Sequence, residues 1–228
     1  MAASRARRPE RREEPLSRER IVEAAIGLLD ESGEGGLTFR ALARRLATGP
    51  GAIYWHVTGK DELLGAATDA VVTGAMTAAT ATATAGATPR EAVRSLAVGV
   101  FDAIDAHPWI GTQLARAPAQ SPLLRIFEHL GRQVQALGVP QAAHFTAASA
   151  LLNYILGVGG QNAANALERR PDTTRAEFLD TVSTSWANLD ADEYAFTRSV
   201  ADQLRDHDDR EEFLAGVDLI VAGITALR

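Results

Sequence analysis

Apolar residues fall first into register at Ile21, Ala24, Ala25, Leu28 and Leu29, a spacing of i, i+3, i+4, i+7 and i+8 that marks one face of an α-helix. Ser17 stands at the N-cap position of that helix and Gly33 at its stop. Gly35-Gly36 predicts a turn. A short helix then follows Thr38, with Leu42, Ala43 and Leu46 on its inner face. Ala47-Thr48-Gly49 leads to Pro50, whose fixed φ and missing N–H suit a first helical position. Thr58, with Asp61 three residues on and Leu63-Leu64 behind it, reads as a capping box opening a long helix.

The same period continues to the C-terminus. The Ala/Thr-rich stretch 75–88 reads as the frayed end of the fourth helix and a loop closing at Pro89. Further helices are expected over about 89–106, 108–117, 122–137, 140–165, 190–206 and 209–227, separated by His107-Pro108, Pro118, Ser121-Pro122, Gly138-Val-Pro140 and Arg170-Pro171. Residues 168–189 carry the weakest pattern. No segment alternates with period two and nothing repeats, so the expected fold class is all-α.

Composition narrows the picture. With 46% hydrophobic and 23% charged residues, the 228-residue chain is an ordinary globular one with a core, long enough for one large fold or two small ones. There is no cysteine, which excludes disulfides, thiolate chemistry and cysteine-ligated zinc. No uninterrupted apolar run approaches the ~20 residues of a membrane span, and the Arg-rich start lacks the apolar stretch of a signal peptide. The expectation is a cytoplasmic protein.

The net charge of −6 speaks against a protein that coats nucleic acid, but the distribution is uneven. Residues 1–60 hold 11 Lys+Arg against 8 Asp+Glu; the remainder hold 12 against 21. A basic head on an acidic body suits a DNA reader with a separate sensing or dimerising part, although scattered surface charge behind a basic tail gives the same counts. Residues 1–16, charged, Pro-punctuated and almost free of large apolar groups, are expected to be a disordered basic arm.

Catalytic signatures are missing: no HExxH, GxSxG or CxxC occurs. Gly59-Lys60 lacks the upstream glycine of a phosphate loop, and Gly157-Val-Gly-Gly160 lacks the closing glycine of a dinucleotide fingerprint. An enzyme is not expected. Residues 37–60, by contrast, hold two short helices joined by a tight turn, with Arg40, Arg44 and Arg45 on the first and Tyr54, Trp55 and His56 on the second. A recognition helix needs small or hydrogen-bonding groups where it enters the major groove and flanks that anchor on phosphates. Gly51 and Ala52 are small enough for close approach, the tips of Tyr54 and His56 can reach phosphate oxygens, and Lys60, the chain's only lysine, adds a cation at a helix N-terminus. An aromatic wedge that merely ties three helices together is the competing reading of the same residues.

Segment 17–64 resembles the TetR family of transcriptional repressors, whose helix-turn-helix ends in a motif matched here by Tyr54-Trp-His56-Val57-Thr-Gly-Lys60; the YWHV form is that of the tetracycline-repressor-like subgroup. A weaker likeness runs to the last helix around Phe213–Gly223. The resemblance implies a helix-turn-helix DNA-binding domain over 17–64 and an effector-binding and dimerisation domain over 65–228, acting as a homodimer on a palindromic operator. It implies that Thr38 caps the second helix and binds phosphate, that Arg40 reaches a guanine, and that Gly51 and Ala52 face bases. Tyr54, His56 and Lys60 resemble backbone and base-edge contacts, while Trp55 and Val57 are expected to pack inward. Ala47 replaces the usual glycine of the turn and Gly49 a capping serine.

Where tetracycline-binding members have the histidines and amides that hold a magnesium chelate, this chain has Met76, Leu114, Leu96 and Leu130. The effector is therefore expected to be a largely apolar small molecule, bound without metal or other cofactor. Met76, Leu96, Val100, Trp109 and Phe127 are its candidate apolar contacts and His107, Asn153 and Gln161 its polar ones, with Asn153 alternatively bonding across a dimer. The family's last helix pairs two subunits, which assigns Phe213, Val217, Ile220 and Ile224 to the dimer interface. The other readings are a constitutive dimeric regulator without effector and, more remotely, an enzyme with an incidental helical head.

Overall fold

The computed structural model describes residues 15–82, 86–116, 121–168 and 174–227. The arginine-rich arm up to Glu14 and the expected breaks at Pro118 and Arg170-Pro171 lie outside these residues. Among the described residues every regular element is a helix, and the chain is all-α. Two compact units divide within the fourth helix, between Leu63 and Leu64.

The first unit contains α1 (Arg18–Gly36), α2 (Phe39–Arg45), α3 (Pro50–Tyr54) and the start of α4 (Lys60–Thr82). The Ser17 hydroxyl accepts from Arg20 N, capping α1. Gly33 interrupts α1 at φ 62°, a left-handed backbone that glycine alone adopts without strain. Ile21, Ala25, Leu29, Leu37, Leu42, Ile53 and Val57 form the core. Helices of seven and five residues cannot stand alone, so α2 and α3 exist because they bury Leu42 and Ile53 completely, α2 packing on α1 and α3 on α2.

The second unit comprises the rest of α4 with α5 (Pro89–Ala106), α6 (Trp109–Arg116), α7 (Ser121–Ala136), α8 (His144–Glu168), α9 (Arg175–Ala187), α10 (Ala195–Ser199) and α11 (Asp209–Thr225). α8 lies at its centre, packed on α5, α6, α7 and α11. Phe213 of α11 stacks on Phe101 of α5 and Tyr154 of α8, with ring centroids 4.6 and 5.7 Å away. Tyr154 Oη donates to the Phe213 carbonyl at 3.2 Å, and burial pushes its hydroxyl pKa up, with Glu212 adding to the shift. Gly216 leaves room for that ring: a Cβ there would lie 1.9 Å from Tyr154 Oη.

Three details differ from expectation. The carboxylate that closes the cap of α4 is Glu62, not Asp61; its Oε2 accepts from Thr58 N at 2.7 Å and Thr58 Oγ1 at 2.8 Å. The helix expected over 190–206 is α10 followed by a 3-10 turn at Ala201–Leu204. The Asp190 carboxylate accepts from the N–H groups of Asp192 and Glu193, both at 3.0 Å, and holds this stretch as a turn. In the weakly patterned segment, Thr174 and Glu177 form a full capping box that opens α9. The windows Lys60–Ala81 and Gln141–Asn165 are also long and apolar enough, at mean hydropathy 1.2, to cross a membrane, and a third of each is buried. Their alanines and aliphatic residues raise the mean while interspersed Gly, Thr, Asn and Gln break the continuous apolar run sought in the sequence, and core helices pass the same test.

Candidate nucleic-acid interface

Thr38 Oγ1 accepts from Ala41 N at 3.1 Å and caps α2, while its side chain remains exposed. Arg40 and Arg44 are exposed on α2; Arg45 is turned back to α1, donating to both carboxylate oxygens of Glu31 at 2.8 Å. The turn between α2 and α3 places Ala47 at φ 50°, a left-handed conformation that a side chain disfavours by ~1–2 kcal/mol. Gly49, at the N-cap of α3, supplies no side-chain bond, and Pro50 begins the helix. Glycine and proline leave the exposed N-terminal end of α3 without bulk at Gly51.

The C-terminal end of α3 carries the aromatics. Ile53 and Val57 are buried at 0% and 1%, which fixes the strip between them. Tyr54 stacks on Phe39 at 4.4 Å, nearly parallel, and keeps 55% of its surface exposed. Trp55 is 90% exposed, which corrects the expectation that it packs inward; only Val57 does. Trp55 stands at the C-cap of α3, and no described element covers it. His56 is half-buried and Lys60 exposed, its Nζ bonded to the Glu34 carbonyl. Arg18 pairs with Glu62 at 2.8 Å, so the start of α1 is tied to the start of α4. The Glu62 carboxyl is held at a pKa of about 2, chiefly by the Thr58 N–H and then by Arg18 and the Thr58 hydroxyl. Glu19, in the first turn of α1, is lowered by its own backbone N–H and the Ser17 hydroxyl, with Arg18 and His56 adding.

In the second unit Met76, Leu96, Val100, Leu114, Leu130 and Trp109 are all buried. Phe127 is half-buried and meets Phe145 edge-on at 6.0 Å. His107 caps α5, its ring 6.1 Å from that of Trp109. Asn153 and Gln161 stand apart from this group. Both are exposed on α8, on one stripe with Thr146, Ala150, Gly157 and Ala164. In the single protomer both face solvent rather than the buried group around Met76 and Leu96, and for Asn153 a contact across a dimer is the other expectation.

The dimer assignments need a similar correction. Phe213, Val217 and Ile224 are at most 5% exposed inside a single protomer, and Ile220 is half-buried. Phe213, Val217 and Ile224 are spent on the core of their own protomer, whereas Ile220 keeps part of its surface exposed. The outward stripe of α11 is instead Ala215, Leu219, Ala222, Gly223 and Ala226, with Leu219 76% exposed. The apolar period seen in the sequence marked the inner face.

A short helix pair that presents a capped basic helix, an unobstructed helix start and exposed aromatics is a helix-turn-helix. Comparison with known proteins agrees in class. Residues 21–67 match the tetR family of bacterial regulatory proteins, and residues 83–228 match the tetracyclin repressor-like C-terminal domain. The chain belongs to the TetR family. A transcriptional regulator of Streptomyces coelicolor, itself a TetR, shares 64% identity over 93% of this chain and 99% of its own, with a TM-score of 0.84. An HTH-type transcriptional regulator of Saccharopolyspora erythraea is 31% identical over 154 residues, 66% of this chain and 64% of the relative's length. ActR, a Streptomyces coelicolor TetR family protein solved with actinorhodin, shares the fold at 23% identity and TM-score 0.70, covering 93% of this chain and 98% of ActR.

Proposed function

We propose that this protein is a ligand-responsive transcriptional repressor that binds a palindromic operator as a homodimer. The observation that carries the reading is the strip from Tyr54 to Lys60. Ile53 and Val57 lock it to the core, yet Tyr54 and Trp55 face solvent where a packing wedge would be covered. Thr38, Arg40, Gly51, Ala52, Tyr54, Trp55, His56 and Lys60 are the proposed contacts. Arg40 discriminates a base pair and Lys60, on leaving the Glu34 carbonyl, binds phosphate. Residues 17–64 form the DNA-binding domain and 65–228 the effector-binding and dimerisation domain. The outward stripes of α8 and α11, helices that pack on each other, pair two subunits. Two recognition helices ~34–36 Å apart then meet successive major grooves, where the operator lies, in the cytoplasm.

The proposed effector is a largely apolar organic molecule, bound without a metal among Met76, Leu96, Val100, Trp109 and Phe127, with His107 as a polar contact. Burying a charged chelate beside such groups would cost several kcal/mol, whereas apolar surface gains ~25 cal/mol per Å². ActR with actinorhodin gives a precedent for an organic ligand in this fold. Binding favours a state whose spacing no longer fits the operator, and operator affinity falls by the ratio of ligand affinities in the two states. The test is selection of duplexes from random DNA by the full chain, then titration of the complex with hydrophobic compounds and with magnesium–tetracycline. Recovery of an inverted repeat, released by an apolar compound irrespective of chelator, is expected. Failure to enrich any sequence overturns the operator reading. Release by the tetracycline chelate alone overturns the apolar effector, and release by nothing favours the constitutive regulator.

A further inference from the structure

Threonine hydroxyls show where α4 is tied to the rest of the second unit. Thr68, Thr77 and Thr80 donate theirs to carbonyls of their own helix, those of Leu64, Thr73 and Met76, each at 2.8 Å. Thr73 is engaged by another element: its Oγ1 accepts from Nη1 of Arg125, on α7, at 2.8 Å. The same guanidinium faces Asp69, with Nη2 3.4 Å from Oδ1. That carboxylate oxygen is shut off from solvent and accepts no hydrogen bond among the described residues, so Arg125 is what balances its charge.

Asp69 and Thr73 are one helical turn apart and Met76 follows at i+7, so the three share one stripe of α4. The first unit ends at Leu63, and Arg125 therefore grips α4 between that end and Met76, a proposed effector contact. On another side α4 closes tightly on α5, where a Cβ at Gly99 would stand 3.1 Å from the Ala75 carbonyl oxygen and 3.2 Å from Ala79 Cβ. Met76 is only 7% exposed, so a ligand enters beside it only when α4 moves. The α5 side is close-packed and gives way at the cost of opened apolar contacts. The α7 side is ionic. Arg125 and Asp69 are 45% and 35% exposed, and both find water when they part.

We infer that Arg125, Asp69 and Thr73 form a latch that holds α4 against α7 in the operator-binding state, and that effector entry beside Met76 opens it. The inference rests on the ligand-responsive repressor reading above and names how that site is coupled to DNA binding. A pair this exposed is a weak bond, and it is longer than the ~2.7–2.9 Å of a tight charge-assisted one. Both properties suit a tie that must yield to a ligand. Its effect is a bias of about two- to fivefold between two positions of α4. Arg125 is a positioning residue, acting through α4 rather than on DNA or effector.

The test compares the full chain with Arg125→Met, which keeps the aliphatic stem, with Asp69→Asn, and with the two combined. Affinity for the selected operator is measured at one salt concentration, and the apolar dye 1-anilinonaphthalene-8-sulfonate probes the effector site. Each single variant is expected to weaken operator binding about two- to fivefold and to bind the dye more tightly by a similar factor. The combined variant is expected to be no weaker on the operator than either single one. Charge acting on DNA at a distance would instead give opposite signs, Arg125→Met weakening binding and Asp69→Asn strengthening it, and that result overturns the latch. Losses that add in the combined variant overturn it too. So does a lower melting temperature with operator affinity unchanged, which marks a purely structural pair, or a loss on the operator with dye affinity unchanged. If the parent chain enriches no operator, the repressor reading itself fails and the inference falls with it.

Discussion

The two units of this protein are built from the same material, amphipathic helices around an aliphatic core, but their structures are specified over very different distances along the chain. In the first unit the ties are shorter, and all but one stay within 26 residues. Arg45 reaches Glu31 across 14 residues and Thr58 reaches Glu62 across four; Arg18–Glu62, at 44, is the longest described. In the second unit Arg94 pairs with Asp218 across 124 residues, Arg210 with Asp102 across 108, and Tyr154 with Phe213 across 59. A surface that must present fixed groups to DNA is assembled from neighbours in sequence, with capped ends and exposed tips. A body that joins α5, α8 and α11 is assembled from groups that no local pattern relates. The difference teaches where function can be read from sequence and where it cannot.

The comparison breaks most readily at Phe213. Phe213→Ala removes a ring buried to 1% between Phe101 and Tyr154 and is expected to destabilise the second unit by ~3–5 kcal/mol, read by urea unfolding. A loss below 1 kcal/mol would mean that α11 does not depend on this stack. Gly216→Ala comes next. Its Cβ would stand 1.9 Å from Tyr154 Oη and 2.4 Å from Cζ, so the whole ring must move and its bond to the Phe213 carbonyl breaks. The expected loss is ~1–3 kcal/mol, and an unchanged melting temperature would contradict this packing.

The first unit gives an effect of opposite sign. Ala47 adopts φ 50° in the turn before α3, so Ala47→Gly relieves backbone strain and is expected to raise stability by ~0.5–1 kcal/mol despite the greater freedom of the unfolded chain. Destabilisation would show that the left-handed turn is not the folded conformation there. The smallest effect is set by pH at Glu62. Its carboxyl pKa of about 2 in the folded chain lies below the ordinary glutamate value of 4.5, so its contribution is fully present above pH 4.5 and is lost as pH falls towards 2. The stability difference between the parent and Glu62→Gln should shrink over that window. A difference that stays constant from pH 7 to pH 2 would separate Glu62 from the cap of α4.

Legibility in the sequence follows the same division. The Ser17 cap, the Pro50 start and the strip from Tyr54 to Lys60 are local signals, and each stands in the structure at the residue that carries it, whereas Gly33, expected as a stop, is a kink within a helix that runs on through Gly35 and Gly36. The box at Thr58 was legible as a cap, but not which carboxylate closes it, because Glu62 is favoured by its simultaneous contact with Arg18. Trp55 departs from the inward packing that the resemblance implies, because exposure depends on which elements stand opposite. On α11 the period gave the apolar face correctly. It could not say whether that face meets the same protomer or another, and Phe101 and Tyr154, far away in sequence, decide for the same protomer. For α9, Thr174-Arg-Ala-Glu177 was a capping signal available in a stretch whose weak apolar pattern concealed the helix.

The central claim is that two copies of the Tyr54–Lys60 strip, held at a fixed separation, read a palindrome. Measuring the affinity of the full chain for its selected operator, and for the same operator with about half a helical turn (~5 bp) inserted between the half-sites, tests this most directly. The insertion rotates one half-site to the far face of the duplex and is expected to reduce binding to the level of unrelated DNA. Undiminished affinity for the lengthened operator would contradict it.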